Sequence, residues 1–221
     1  MEEYILINKM TYNALANEYE ARMCNYFARD NMLLAPVISY IKSTFVDEIK
    51  ALDIGPGTGL DLSIMVSNGF DVKGVDISEN MAEICMKVAP AADVVVDNFL
   101  DIDLGKEVFH AVISKATLHL FKKIDALLVL KKIYDLLMPR GMAYISTTIG
   151  NLATEGIFPK MDYRNQLPRY RKTWTRDELV TAVGDIGFIV NEETYDEELE
   201  LDKSWLNLYL IKPLPSHSRL I

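Results

Sequence analysis

Three glycines crowd into five positions of "ALDIGPGTGLDL" (residues 51–62), between an apolar run that ends in Asp53 and helix-like sequence. Glycine tolerates left-handed backbone, and at a helix N-terminus its exposed N–H groups can meet a ligand directly. One glycine suffices for a tight turn. Three therefore suggest that Gly55, Gly57 and Gly59 lie against a bound molecule. Asp76 closes the next strand-like run, in "GVDIS", where a carboxylate can accept hydrogen bonds from both hydroxyls of a ribose; the plainer role is that of an acid at a helix N-terminus. The chemistry indicated is the binding of a nucleoside-containing small molecule. The spacing is G-x-G-x-G. A dinucleotide fingerprint counted from Gly55 requires a small residue where Leu60 stands, which opposes a nicotinamide-dependent oxidoreductase but leaves it as an alternative.

Such a loop must be held by a strand on one side and a helix on the other. Short Val- and Ile-rich runs at 49–55, 70–77, 92–97, 109–114 and 141–149 read as strands, and four are nearly continuous in apolar character, as strands buried on both faces are. Helical patterns fall between them at 59–68, at 78–88 with Ser78 as N-cap, and at 122–138, closed by Pro139 and Gly141. Residues 11–45 read as two helices parted near Pro36. "TRDE" (175–178) is a capping-box signature for a further helix ending near Gly187. Two strand-like runs then follow, "GFIVNEETY" and "SWLNLYLIK", with no helix between them. Strands joined without a crossover pair antiparallel. The expectation is an α/β fold: a doubly wound, seven-stranded, mostly parallel sheet with a reversed edge strand, preceded by helices.

Composition narrows the partners. The chain has 221 residues, 50% hydrophobic and 25% charged, with a formal charge of −9, which argues against a broad phosphate-tracking surface. The N-terminus lacks a basic segment followed by an apolar one, and no run approaches the roughly 20 apolar residues of a membrane span. A cytoplasmic protein, monomer or homodimer, without nucleic-acid or membrane partners is expected. Cys24 and Cys85 have no metal-like spacing and read as buried thiols, and no metal site is expected.

These segments together resemble the class I S-adenosylmethionine-dependent methyltransferases of the small-molecule kind. "LDIGPGTGLDL" is similar to the family's first motif and "GVDISENM" to its second. "FHAVISKATLHLF", "LLMPRGMAYIS" and "WTRDELVTAVGDIGFIV" are similar to the segments that follow, and the likeness spans roughly residues 12–212. It implies a Rossmann-like methyltransferase fold with S-adenosylmethionine as cofactor. The glycine loop would lie against the methionine and ribose, Asp53 would orient the loop or contact the amine, and Asp76 would take the ribose. Ile77 and Phe99 would pack on the adenine. Its amino group would reach Asn98, with Asp97 as the rival. Lys115 would present its backbone to the cofactor. His119, after the fourth strand, is the candidate general base, or else only holds its loop; His110 is structural. The family's lid corresponds to residues 1–45, with Tyr12 toward the substrate, Tyr19 covering the cofactor and Arg22 near its carboxylate. The tyrosine spacing also suits an ordinary amphipathic helix.

Residues 46–213 would then form the methyltransferase domain, 214–221 a tail, and 150–174 a substrate-facing insertion. That insertion and its flank carry Lys160, Arg164, Arg169, Arg171, Lys172 and Arg176. Tyr163, Arg164 and Tyr170 are candidate contacts to a small substrate with an anionic group. Equally, these cations could balance the acidic run "NEETYDEELELD". DNA-base amine methylation requires an Asn/Asp-Pro-Pro-aromatic motif where this chain has "SKAT". The expected activity is methyl transfer to N or O of a small molecule; a non-catalytic or regulatory S-adenosylmethionine-binding protein is the alternative.

Overall fold

A computed structural model describes residues 2–22, 25–163, 165–198 and 203–215. Seven strands make the main sheet: β1 (Lys50–Ile54), β2 (Asp71–Asp76), β3 (Asp93–Val96), β4 (Phe109–Lys115), β5 (Leu137–Ile149), β8 (Ile189–Glu198) and β9 (Lys203–Ile211). Their order is β3-β2-β1-β4-β5-β9-β8. All neighbours pair parallel except β9, which runs antiparallel to both β5 and β8. β9 follows β8 with no crossover helix, so it must return in the opposite sense. It fills the space between β5 and β8, one place in from the end of the sheet.

Strand alternation divides the core. On β1, Leu52 and Ile54 face the cluster built on α5 (Lys123–Leu136) and α6 (Arg176–Ile186). Ala51 faces the other cluster, with α2 (Phe27–Thr44), α3 (Leu60–Ser67) and Cys85 of α4 (Glu79–Val88). Each fully buried Leu or Ile contributes about 1.5–3 kcal/mol of hydrophobic stabilisation, so the double layer fixes the sheet firmly. Caps set the helix starts as the sequence indicates: Ser78 Oγ accepts from Met81 N–H at 3.2 Å, and Thr175 Oγ1 from Glu178 N–H at 3.2 Å.

Outside this frame the chain departs from expectation in three places. The first helix, α1, spans Glu3–Arg22, and the break falls before Phe27 instead of at Pro36, which lies inside α2. Proline frees the carbonyl four residues earlier; that residue, Met32, is 75% exposed, so water can satisfy the carbonyl. Secondly, α5 ends at Leu136 and β5 begins at once, carrying Pro139 within it. Thirdly, the irregular segment after β5 holds a two-stranded hairpin, β6 (Thr154–Pro159) and β7 (Pro168–Thr173).

Helix α1 crosses above the sheet between α4 and the hairpin. Asn13 accepts from Ser78 Oγ at 2.6 Å and from Asn80 N–H at 3.0 Å. On the other flank Asn8 Oδ1 accepts from Tyr170 N–H at 2.8 Å, and Thr11 Oγ1 donates to Pro168 O at 2.5 Å. The roof is thus held by hydrogen bonds together with two small apolar clusters, Tyr4 and Ile5 against Tyr170, and Ala16 against Met81 and Ile84. No helix among the described residues is long and apolar enough to cross a membrane.

Candidate functional site

Beneath α1 a cavity of about 320 Å³ gathers the glycine loop, the ends of β2 and β4, and the hairpin. Gly55, Gly57 and Gly59 all have positive φ, at 68°, 55° and 84°. The cause of their smallness differs from the expected one. A Cβ on Gly55 would stand 2.5 Å from Thr117 Oγ1, and one on Gly59 would stand 2.8 Å from Cys85 Sγ, whereas one on Gly57 would meet nothing within 4 Å. Two glycines are therefore demanded by the protein's own packing. Only Gly57 faces open space.

Asp76 ties this loop to the next turn: Oδ2 accepts from Gly57 N–H at 3.1 Å and Oδ1 from Ser78 N–H at 2.9 Å. Each oxygen keeps a further lone pair, and the residue lines the cavity with Ile77 and Phe99. Burial raises its carboxyl to about 6, against the pull of these N–H donors. Asn98 also lines the cavity, yet its side chain is spent on its own turn, donating to Asp101 Oδ2 at 2.8 Å and accepting from Leu100 N–H at 3.3 Å. Asp97 beside it is exposed, lines the cavity and uses only Oδ1, toward Asn98 N–H.

Near the loop, carboxylates outnumber cations. Lys115 reaches Asp30 at 2.6 Å and Asp61 at 2.8 Å. Burial works against its charge, but the two acids prevail and raise it. Asp53 lies behind them, 1% exposed, with Oδ2 unpartnered. Burial, then Asp61, pushes its carboxyl well above the usual range. A buried carboxyl raised in this way keeps its proton and escapes the cost of a dry charge, so the negative charge at the cavity wall is that of the acids paired with Lys115. This end of the cavity suits a cationic ligand.

At the opposite end the balance reverses. Lys160, Arg169 and Lys203 line the cavity with His119 and Trp205. His119 is 2% exposed, and its Nδ1 has no partner. Burial first, then Arg169, Arg171, Lys160 and Lys203, lowers it well below the usual imidazole range. Burial and then Arg169 bring the Lys160 ammonium down to about 7. The roof supplies aromatic surface: Tyr12 and Tyr19 are 5.8 Å apart, Tyr19 stacks on Tyr163 at 4.8 Å, and the Arg22 guanidinium covers Tyr163 at 4.3 Å.

Most residues singled out from the sequence thus converge here, but several do not: Asp53 and Gly59 are not among the lining residues. Tyr170 is not among the lining residues. It alternates with Arg169 along β7 and so turns away, packing on Tyr4 at 4.8 Å. Arg176 pairs with Glu193 of the acidic run, and Lys172 with Glu178. Arg171 reaches Thr148 Oγ1 at 3.3 Å. His110 sits outside, its Nδ1 accepting from Lys50 N–H at 3.0 Å. Arg164 and Cys24 lie outside the described residues, while Cys85 is a free, buried thiol. Asp30, Asp61, Thr117, Lys203 and Trp205 were not singled out from the sequence. Asp61 alone carried a local signal, as a charged residue buried on the first turn of an otherwise apolar α3.

Residues 52–145 match the family model described as a methyltransferase domain. The fold is shared with Burkholderia thailandensis 1,6-didemethyltoxoflavin-N1-methyltransferase, solved with 1,6-didemethyltoxoflavin and S-adenosylhomocysteine: TM-score 0.72, 17% identity, covering 96% of this chain and 90% of that one. It is also shared with an S-adenosylmethionine-dependent methyltransferase of Methanosarcina mazei, at TM-score 0.67 and 17% identity over 79% of this chain and 97% of that one. The [4+2]-cyclase SpnF has the same architecture, at TM-score 0.63 and 13% identity over 81% of each chain. No curated protein matches the sequence. Residues 52–145 thus match a methyltransferase domain, on a fold shared with S-adenosylmethionine-dependent methyltransferases.

Proposed function

We propose that this methyltransferase domain transfers a methyl group from S-adenosylmethionine to an N or O atom of a small molecule. The observation that carries the reading is the polarised, roofed cavity. Its acid end, lined by Asp30, Asp61 and Asp76, fits a cofactor bearing sulfonium and ammonium charges. Gly57 would approach the cofactor backbone-first, Asp76 would hold the ribose hydroxyls, and Ile77 and Phe99 would flank the adenine. Asp97, with a carboxylate oxygen to spare, suits the adenine amine better than Asn98 does. Lys115 acts through Asp61 and Asp30, pairing with both beside the ligand.

When bound, S-adenosylmethionine supplies an electrophilic methyl group. The chain's own contribution is to fix the acceptor in line and keep water out, which supplies most of the acceleration for a displacement of this kind. Helix α1 with α2, within residues 1–45, forms the lid; the hairpin within 150–174 faces the acceptor. His119 stays neutral and offers Nδ1 as a hydrogen-bond acceptor. Its basicity is too low for efficient proton abstraction, so it orients the acceptor more than it deprotonates it.

Incubating the purified protein with methyl-labelled cofactor and a metabolite extract tests this directly, with label expected in a small molecule. A calorimetric titration with cofactor or demethylated product that shows no heat on folded protein overturns it. The cyclase relative sustains a second reading, in which the fold binds the cofactor for another purpose. Tight cofactor binding with no label transferred would favour that one.

A further inference from the structure

The basic end of the cavity is left unexplained by a positively charged cofactor. Lys160 is 3% exposed and Arg169 is 6% exposed. Both lysines, Lys160 and Lys203, lean on a single acid, Asp162, at 2.8 Å and 3.3 Å. Arg169 touches the Tyr12 hydroxyl at 3.3 Å and has no carboxylate within ion-pair distance among the described residues. Three cations thus share one carboxylate, and a dry cation that is only partly compensated is expensive. One further donor at this end has no partner, the Trp205 Nε1–H. Arg29 lines the cavity between the two ends, where it stabilises Asp61 and pairs with Glu198 at 3.4 Å, and is assigned to the cofactor's carboxylate.

Cation-rich surface beside aromatic walls defines its own ligand. We infer that the methyl acceptor is a flat molecule carrying an anionic group, a carboxylate or phosphate, held by Arg169 and Lys160 with Lys203. Its body lies against Tyr12 and Tyr163. Arg169 supplies the planar fork that recognises two anionic oxygens at once. The inference rests on the methyltransferase reading and narrows it to a substrate class.

The test uses the full-length protein saturated with S-adenosylhomocysteine and three probes of similar shape: benzoate, phenyl phosphate and neutral benzamide. Benzoate or phenyl phosphate should bind saturably and at least about tenfold more tightly than benzamide, as one charge-assisted hydrogen bond warrants. The preferred anion distinguishes carboxylate from phosphate. Arg169→Gln, and Lys203→Gln at a less buried position, should each abolish that preference. In both variants the affinity for S-adenosylhomocysteine should stay within about twofold, since 1.4 kcal/mol is needed for tenfold. Equal binding of all three probes, or binding of none, overturns the inference while leaving cofactor binding intact. A variant that loses S-adenosylhomocysteine instead also overturns it, because the cations would then serve the cofactor's own carboxylate. Failure to bind S-adenosylhomocysteine in the unaltered protein would strike the methyltransferase reading itself.

Discussion

Asp76 joins the glycine loop to the turn before α4, and its proton is the simplest handle on the proposed cofactor site. Native burial raises this carboxyl to about 6, so between its unfolded value and 6 the folded state holds a proton that the unfolded state has released. The contribution of this group to stability therefore falls as pH rises through 6. Ligand affinity runs the other way, because protonation removes an acceptor. Titrations with S-adenosylhomocysteine should weaken as pH drops below 6, and Asp76→Asn should lose about tenfold or more in affinity together with that pH dependence. A second prediction concerns His119. With its imidazole held well below the usual range, His119→Ala should lower kcat/KM by about tenfold, short of the 10²–10⁴-fold loss of a general base. Cofactor affinity should be unchanged, and a loss above a thousandfold would restore it as the base.

Among the elements, the loop from β1 to α3 separates what local sequence reveals from what it hides. The three glycines were legible, and so were the strands and caps around them, because periodicity and capping are local. The reason for the glycines was not legible. Thr117 and Cys85 press on Gly55 and Gly59 from distant segments, and no spacing rule announces a long-range contact. The same holds for β7, where strand parity sends Arg169 inward and Tyr170 outward; the segment lacks the apolar alternation that would mark a strand, since β6 is largely exposed. The loop predicts an ordering of variants. Gly57→Ala meets only the left-handed backbone penalty of about 1–2 kcal/mol, and should mainly weaken cofactor binding. Gly55→Ala adds overpacking against Thr117, about 1–3 kcal/mol more, and should lower the denaturation midpoint further. Thr117→Gly in the same chain should recover much of that difference; equal midpoints for the two alanine variants would refute the packing account.

The whole molecule is a well-packed sheet under a polar roof. Two large apolar clusters fix the strands, whereas α1 rests on Asn8, Thr11 and Asn13 and on two much smaller apolar clusters. Local stability should follow that contrast, with α1 exchanging amide hydrogens faster than β1 or β4. Saturation with S-adenosylhomocysteine at about 100 times its Kd should add about 2.7 kcal/mol, roughly 5–10 °C in Tm for a chain of this size, and should slow exchange in α1 disproportionately. Exchange in α1 that does not respond to the ligand would argue against the roof as part of the site. One contact carries this further. Ser78 receives a hydrogen bond from Met81 N–H, donates its own N–H to Asp76, and gives its hydroxyl to Asn13 of the roof. Whatever settles on Asp76 thereby steadies the span overhead, and both occupants share one chamber. Turnover should thus obey a queue: the nucleoside arrives first and departs last, and kinetic patterns should show the acceptor unable to board an empty enzyme.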